Sequence, residues 1–184
     1  MSEKPIVPNE IRTVFQGRVF TVRVETIALP GGGTLEAEIV RHPGSVVIVP
    51  ITARGEVVLV RQYRPAIGTW AWELPAGSLK PGEDVERAAR RECQEEIGQV
   101  ASRLERLGSF FPTPGYCDEQ MTFFKATGLR APGAGDEDAQ PDEDEDIEAR
   151  PFALTDLQRL IASGEIIDLK TIAGLSLIEP RTED

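Results

Sequence analysis

The chain has 184 residues, 40% of them hydrophobic and 28% charged, with a formal net charge of −11. Those values describe one globular domain with its own core, and the acidity excludes a nucleic-acid backbone as the main partner. A small anionic substrate suits such a chain only if cations bridge the two.

The opening MSEKPIVPNE lacks a basic-then-apolar signal pattern. Residues 11–28 alternate in the manner of strands, with Val14 and Phe15, then Val19 to Val24. Pro30-Gly31-Gly32-Gly33 reads as a hairpin turn and Thr34 to Arg41 as its return strand. His42 is the sole histidine; it leaves no material for a histidine triad or zinc cluster and reads as a strand-end residue. Val46–Ile51, the longest aliphatic run, is far too short to cross a membrane. It reads as a buried strand with Glu56–Arg61 as its hairpin partner across Ala53-Arg54-Gly55. Trp70 to Leu74 is a further strand. Leu104–Phe111 and Met121–Thr127 follow, then the Pro-, Gly- and acid-rich loop Ala131 to Asp146, and a short strand at Phe152-Ala153. Thr155 is the expected N-cap of a helix through Ser163, ended by Gly164, and Asp168 to Leu177 forms a last helix. Cys93 and Cys117, the two cysteines, have no metal-ligand spacing and read as free thiols in a reducing cytosol.

The densest chemistry lies between Trp70–Leu74 and Leu104. Pro81-Gly82 is a turn, and Glu83, Asp84 and Glu86 fill the first turn of a helix, where acids suit the macrodipole. Gly98 ends it in a left-handed cap. At roughly 100° per residue, Val85, Ala88, Ala89, Cys93 and Ile97 form a broad apolar face. Glu92 and Glu96 fall inside that face, i,i+4 to each other, with no basic residue at i±3 or i±4. Arg91–Glu95 and Glu86–Arg90 are opposite-charge pairs on other sides. Two like charges on a half-buried face, at the negative end of the dipole, call for neutralisation. A divalent cation supplies it, and all-oxygen ligation suits Mg²⁺ or Mn²⁺ rather than zinc.

Residues Gly77 to Gln99 read GSLKPGEDVERAARRECQEEIGQ. Gly77, Glu83, Arg91, Glu92, Glu95, Glu96 and Gly98 make the pattern G-x5-E-x7-R-E-U-x-E-E-x-G, which resembles the Nudix box of diphosphate hydrolases. Such a match arises by chance on the order of once in 10⁸ windows. Gln99 departs from the aliphatic residue the family prefers there, at a position that packs rather than reacts. RQYRP at Arg61–Pro65, ELPAG at Glu73–Gly77, PTPGYCDE at Pro112–Glu119 and PDEDEDIE at Pro141–Glu148 resemble the ADP-ribose pyrophosphatase branch, whose motifs sugar-nucleotide hydrolases share. Tyr116 also resembles a mark of dinucleoside polyphosphate hydrolases.

The resemblance implies an α/β/α sandwich with a mixed sheet between helices. An N-terminal antiparallel β extension over 1–44 would precede a catalytic domain over 45–180. It implies metal ligation by the Ala76 carbonyl, Glu92 and Glu96, with Glu95 completing a second ion site. Glu83 would anchor the loop before the helix, and Arg91 would orient the glutamates. Arg64, with Arg61 second, would meet the substrate; strand alternation sends the two arginines to opposite faces, so they do not serve together. Pro114, Gly115 and Glu119 are further substrate contacts. Glu145, with Glu143 second, matches the branch's mobile loop glutamate that positions the attacking water. The implied reaction is hydrolysis of ADP-ribose to AMP and ribose 5-phosphate in a cytoplasmic homodimer, without membrane or nucleic-acid partners. Another nucleotide sugar of the GDP-mannose type and a dinucleoside polyphosphate are the alternative substrates. A nucleotide-binding sensor is the non-enzymatic alternative. Since a two-strand hairpin is marginal alone in water, the N-terminal strands are expected to pair with a second subunit.

Overall fold

The computed structural model describes residues 6–136, 139 and 147–178. Its elements in chain order are β1 (Glu10–Gln16), β2 (Thr21–Ala28), β3 (Thr34–Arg41), β4 (Ser45–Pro50), β5 (Val57–Arg64), β6 (Thr69–Glu73) and β7 (Ala76–Ser78). Then come α1 (Val85–Ile97), β8 (Val100–Phe110), β9 (Met121–Arg130), β10 (Glu148–Phe152), α2 (Leu154–Ala162) and α3 (Leu169–Ile178). They fall into two compact units, Met1–Gly44 with Phe111–Gln120, and Ser45–Phe110 with Met121–Asp184.

The first unit is an antiparallel sheet in the order β1-β2-β3. The 11–28 stretch divides into two strands because Gly17 N donates to Phe20 O at 2.9 Å and closes a turn. The element is therefore three-stranded, not the two-strand hairpin expected. All of β1 is solvent-exposed. The 111–120 segment joins this unit through Val40 N to Tyr116 O at 2.7 Å and Asp118 N to Val40 O at 3.1 Å. Arg41 binds Glu25, itself buried, and Asp118. His42 follows β3; its backbone N donates to Asp118 Oδ1, and its Nδ1 accepts from Gly44 N.

In the second unit β4 is buried along its whole length, as a strand covered on both faces must be. Its even-numbered residues, Val46 and Ile48, pack with Val58, Val60, Phe124 and the α1 residues Ala88, Ala89, Cys93 and Ile97. Its odd-numbered residues, Val47 and Val49, pack with Val57, Leu59, Phe123, Leu157 of α2 and Leu175 of α3. The period of two thus hands one face to α1 and the other to α2 and α3, which is the expected mixed α/β/α arrangement.

Strand pairing corrects one expectation. β4 and β5 are not hairpin partners; a single bridge, Ile51 to Val57, links them. β4 runs parallel to β9 within the sheet β7-β4-β9-β8, while β5 lies between β10 and β6. Both strands read as buried aliphatic runs, and that pattern carries no record of which neighbour each will bond. β7 carries no such pattern and went unread. α2 also differs: Ala153, not Thr155, stands at its N-cap, without a side-chain cap bond. Phe152 closes β10 with its ring 4.9 Å from that of Trp72, so the chain turns into the helix earlier.

Candidate active site

Asp84 is the N-cap of α1 rather than part of its first turn, accepting from Glu86 N and Arg87 N at 3.0 and 3.1 Å. Glu83 therefore lies outside the helix. Its carboxylate accepts from Lys80 N at 3.0 Å and takes both Nε and Nη2 of Arg91 at 2.8 and 2.9 Å. Arg91 is the hub of the cluster. Its Nη1 donates to Glu92 Oε1 at 2.5 Å and to Glu95 Oε2 at 2.6 Å. This corrects the picture of Glu92 without a basic partner: helix periodicity looks to i±4, but Arg91 reaches its immediate neighbour. The Arg91 hydrogen bonds bring the Glu83 carboxyl down to about 2, and the three carboxylates hold the Arg91 guanidinium above its ordinary range.

Two backbone features bring β7 against this helix. Ala76 N donates to Glu96 Oε2 at 3.2 Å. At Gly77 an added Cβ would overlap the Glu92 carboxylate, so glycine is needed there for close approach. The helix end is equally specific: Gly98 caps α1 at φ 65°, a conformation L side chains resist. Ala76, Gly77, Glu92 and Glu96 are thus neighbours, with Glu92 and Glu96 both buried. Beneath them the Cys93 thiol is pushed up to about 12 by burial.

Because Arg91 sits between Glu92 and Glu95, among the described residues no three acidic side chains converge as ligands of one ion. The site still fits Mg²⁺ or Mn²⁺. Mg²⁺ keeps several waters and is held by one or two carboxylates plus substrate phosphates. The oxygen-rich set Ala76, Glu92, Glu95 and Glu96 offers that chemistry, and the missing Cβ of Gly77 leaves room for the Glu92 carboxylate beside the strand.

The other expected residues divide. Arg64 makes a two-pronged pair with Glu73, Nε to Oε1 at 2.8 Å and Nη2 to Oε2 at 2.6 Å. Arg61 instead lies over the Trp70 ring at 5.2 Å. Trp70 and Glu73 are an odd number of positions apart on β6, so the arginines do leave on opposite faces. Pro114 and Gly115 line a groove of the first unit together with Arg41 and Tyr116. Glu119, in the same unit, stands 3.8 Å from His42 Nδ1. Glu143 and Glu145 lie outside the described residues. Sequence reasoning missed Lys170, which binds Glu73 and Asp168; a lysine in the first turn of a helix gives no periodic signal.

A glutamate-bearing helix set against the Ala76–Gly77 backbone of β7, on one face of an α/β/α arrangement, defines the class of fold. The family model described as NUDIX domain matches residues 41–174, and the chain belongs to the Nudix family of hydrolases. It is 35% identical over 179 residues to "ADP-ribose pyrophosphatase" of Bacillus subtilis (strain 168), covering 97% of this chain and 94% of that protein. It is 36% identical over 177 residues to "Methanol dehydrogenase activator" of Bacillus methanolicus, covering 96% and 92%. The solved structure "Crystal structure of ADP compounds hydrolase" matches with a TM-score of 0.80 at 24% identity, over 97% of this chain and 94% of that one, and speaks for the fold.

Proposed function

We propose that this Nudix hydrolase cleaves the diphosphate of ADP-ribose, with Mg²⁺ or Mn²⁺ and more than one ion per site, giving AMP and ribose 5-phosphate. The observation that carries the reading is the contact of Glu92 and Glu96 with the Ala76–Gly77 backbone. The name of the Bacillus subtilis relative supports the substrate. When bound, the ions neutralise the diphosphate and make water a better nucleophile.

The Ala76 carbonyl, Glu92 and Glu96 would hold one ion, and Glu95 a second. Arg91 keeps Glu92 and Glu95 oriented, and Glu83 keeps Arg91 in place. Water adds to one phosphorus, the bridging P–O bond breaks, and the water's proton passes to a carboxylate. Glu145, or Glu143, is the proposed acceptor. Phosphoryl transfer leaves the protein mainly positioning and charge stabilisation, which these residues supply. Arg64 is the proposed diphosphate contact, with Arg61 second; within the other unit Pro114, Gly115 and Glu119 are proposed substrate contacts.

A cytoplasmic homodimer joined through the β1–β3 sheet completes the proposal. An exposed edge strand invites pairing with another chain, and Ile11, Val14 and Phe15 of β1 are each more than half exposed. Among the described residues no helix is long and apolar enough to cross a membrane.

The test is a panel of ADP-ribose, GDP-mannose, diadenosine polyphosphates, NADH and 8-oxo-dGTP, each with Mg²⁺ and with Mn²⁺. ADP-ribose is expected to give the highest kcat/KM. A higher value on any other member would reassign the substrate.

A further inference from the structure

Glu73, at the end of β6, is only 3% exposed. Burial alone would raise its pKa, but the Arg64 hydrogen bonds and the charge and hydrogen bond of Lys170 together hold it below the ordinary range. One buried carboxylate thus has two cations. They differ in freedom. The Arg64 side chain is 40% exposed, and its pair with Glu73 uses Nε and Nη2 and not Nη1. The Lys170 side chain is 9% exposed. Its Nζ donates to Glu73 Oε2 and to Asp168 Oδ2. Asp168 is fixed in turn by Thr171 N and Oγ1 at 2.9 and 2.6 Å, and Thr171 Oγ1 accepts from Leu74 N at 2.8 Å. Lys170 Nζ is thus held between two carboxylates on an almost fully buried side chain.

Arg64 stands in the electrostatic surroundings of the catalytic helix, since the charge of Glu96 acts on it. A diphosphate gripped by the same guanidinium draws its charge away from Glu73 and weakens that pair. With a single counter-ion that loss would strand a buried carboxylate, which is strongly unfavourable. We propose that Lys170 is a positioning residue, the standing counter-ion of Glu73, whose presence lets Arg64 be shared with the diphosphate of the substrate. The inference rests on the proposed role of Arg64 and extends it to α3.

The experiment compares wild type, Lys170→Met, Lys170→Arg and Lys170→Met/Glu73→Gln in the presence of Mg²⁺. Calorimetry gives the Kd for the α,β-methylene analogue of the nucleoside diphosphate that wild type hydrolyses, ADP-ribose first; kcat and KM are measured in parallel. Lys170→Met is expected to raise Kd and KM by about tenfold or more while kcat changes less than about threefold, the pattern of lost uniform binding. Lys170→Arg should keep the wild-type Kd. The double variant should recover it, because a neutral amide no longer holds Arg64. Wild-type binding by Lys170→Met, or a defect that Glu73→Gln does not relieve, would overturn the proposal. If Lys170→Met does not fold, Glu73→Gln alone decides: it should bind at least as tightly as wild type, and a clear loss overturns the idea. Taking the ratios on whichever diphosphate wild type hydrolyses separates a wrong substrate from a wrong role for Lys170.

Discussion

Arg91 gathers Glu83, Glu92 and Glu95 around one guanidinium, and the glutamates of this site differ in what their loss should do. Glu83, with its pKa brought down to about 2 from 4.5, contributes stability that is complete above about pH 4.5 and is lost as pH falls through about 2. Acid unfolding followed by circular dichroism should therefore show wild type more stable than Glu83→Gln near neutrality, with the gap closing across that window. A gap independent of pH would mean that the Glu83 charge is not what matters. Glu92→Gln and Glu96→Gln should each lower kcat by orders of magnitude, weaken Mn²⁺ binding measured by electron paramagnetic resonance, and leave the fold intact. Wild-type turnover by either variant would reject the ligand assignment. That Glu92 and Glu96 share the buried face of α1 was legible from their spacing alone. Their partners were not, because a neighbour pair such as Arg91–Glu92 and a reach from outside the helix such as Glu83–Arg91 lie beyond helical periodicity.

The element that matters most is the α1–β7 pair. Asp84→Ala should cost about 1 kcal/mol of stability, the usual worth of an N-cap, with little effect on kcat. Gly77→Ala should do the reverse, since its Cβ would displace the Glu92 carboxylate: a loss of turnover approaching that of Glu92→Gln in a protein that still unfolds cooperatively. If Gly77→Ala keeps full activity, the close approach at Gly77 does not fix Glu92. For the acidic stretch outside the described residues, Glu143→Gln/Glu145→Gln is expected to lose at least about 10²-fold in kcat, the scale of one positioned acid–base group, while still binding the methylene analogue. An undiminished kcat would leave the proton acceptor to be sought at Glu95 or Glu119. Among the described residues most strands and the three helices were legible as elements, because alternation and caps are local signals. The partner of β4 was not, since a strand buried on both faces advertises hydrophobicity and no direction. Nor was β7, whose three residues are a strand only because β4 lies beside them.

At the scale of the molecule, the exposed β1 edge forecasts a dimer in light scattering at micromolar concentration, weakened by Phe15→Glu. A fully active wild-type monomer would remove the argument for assembly. Cys93 has a separate consequence. The thiol lies sealed on the apolar side of the same helix that carries the glutamates, fully buried and held protonated, whereas Cys117 is only partly covered. A thiol reagent can reach Cys93 only when α1 lifts from the sheet. In a Cys117→Ser background the labelling rate becomes a clock for that lifting, read without adding any probe to the protein. Saturating substrate and Mg²⁺ should slow the clock if they clasp the helix to β7, and leave it unchanged if they grip only loops.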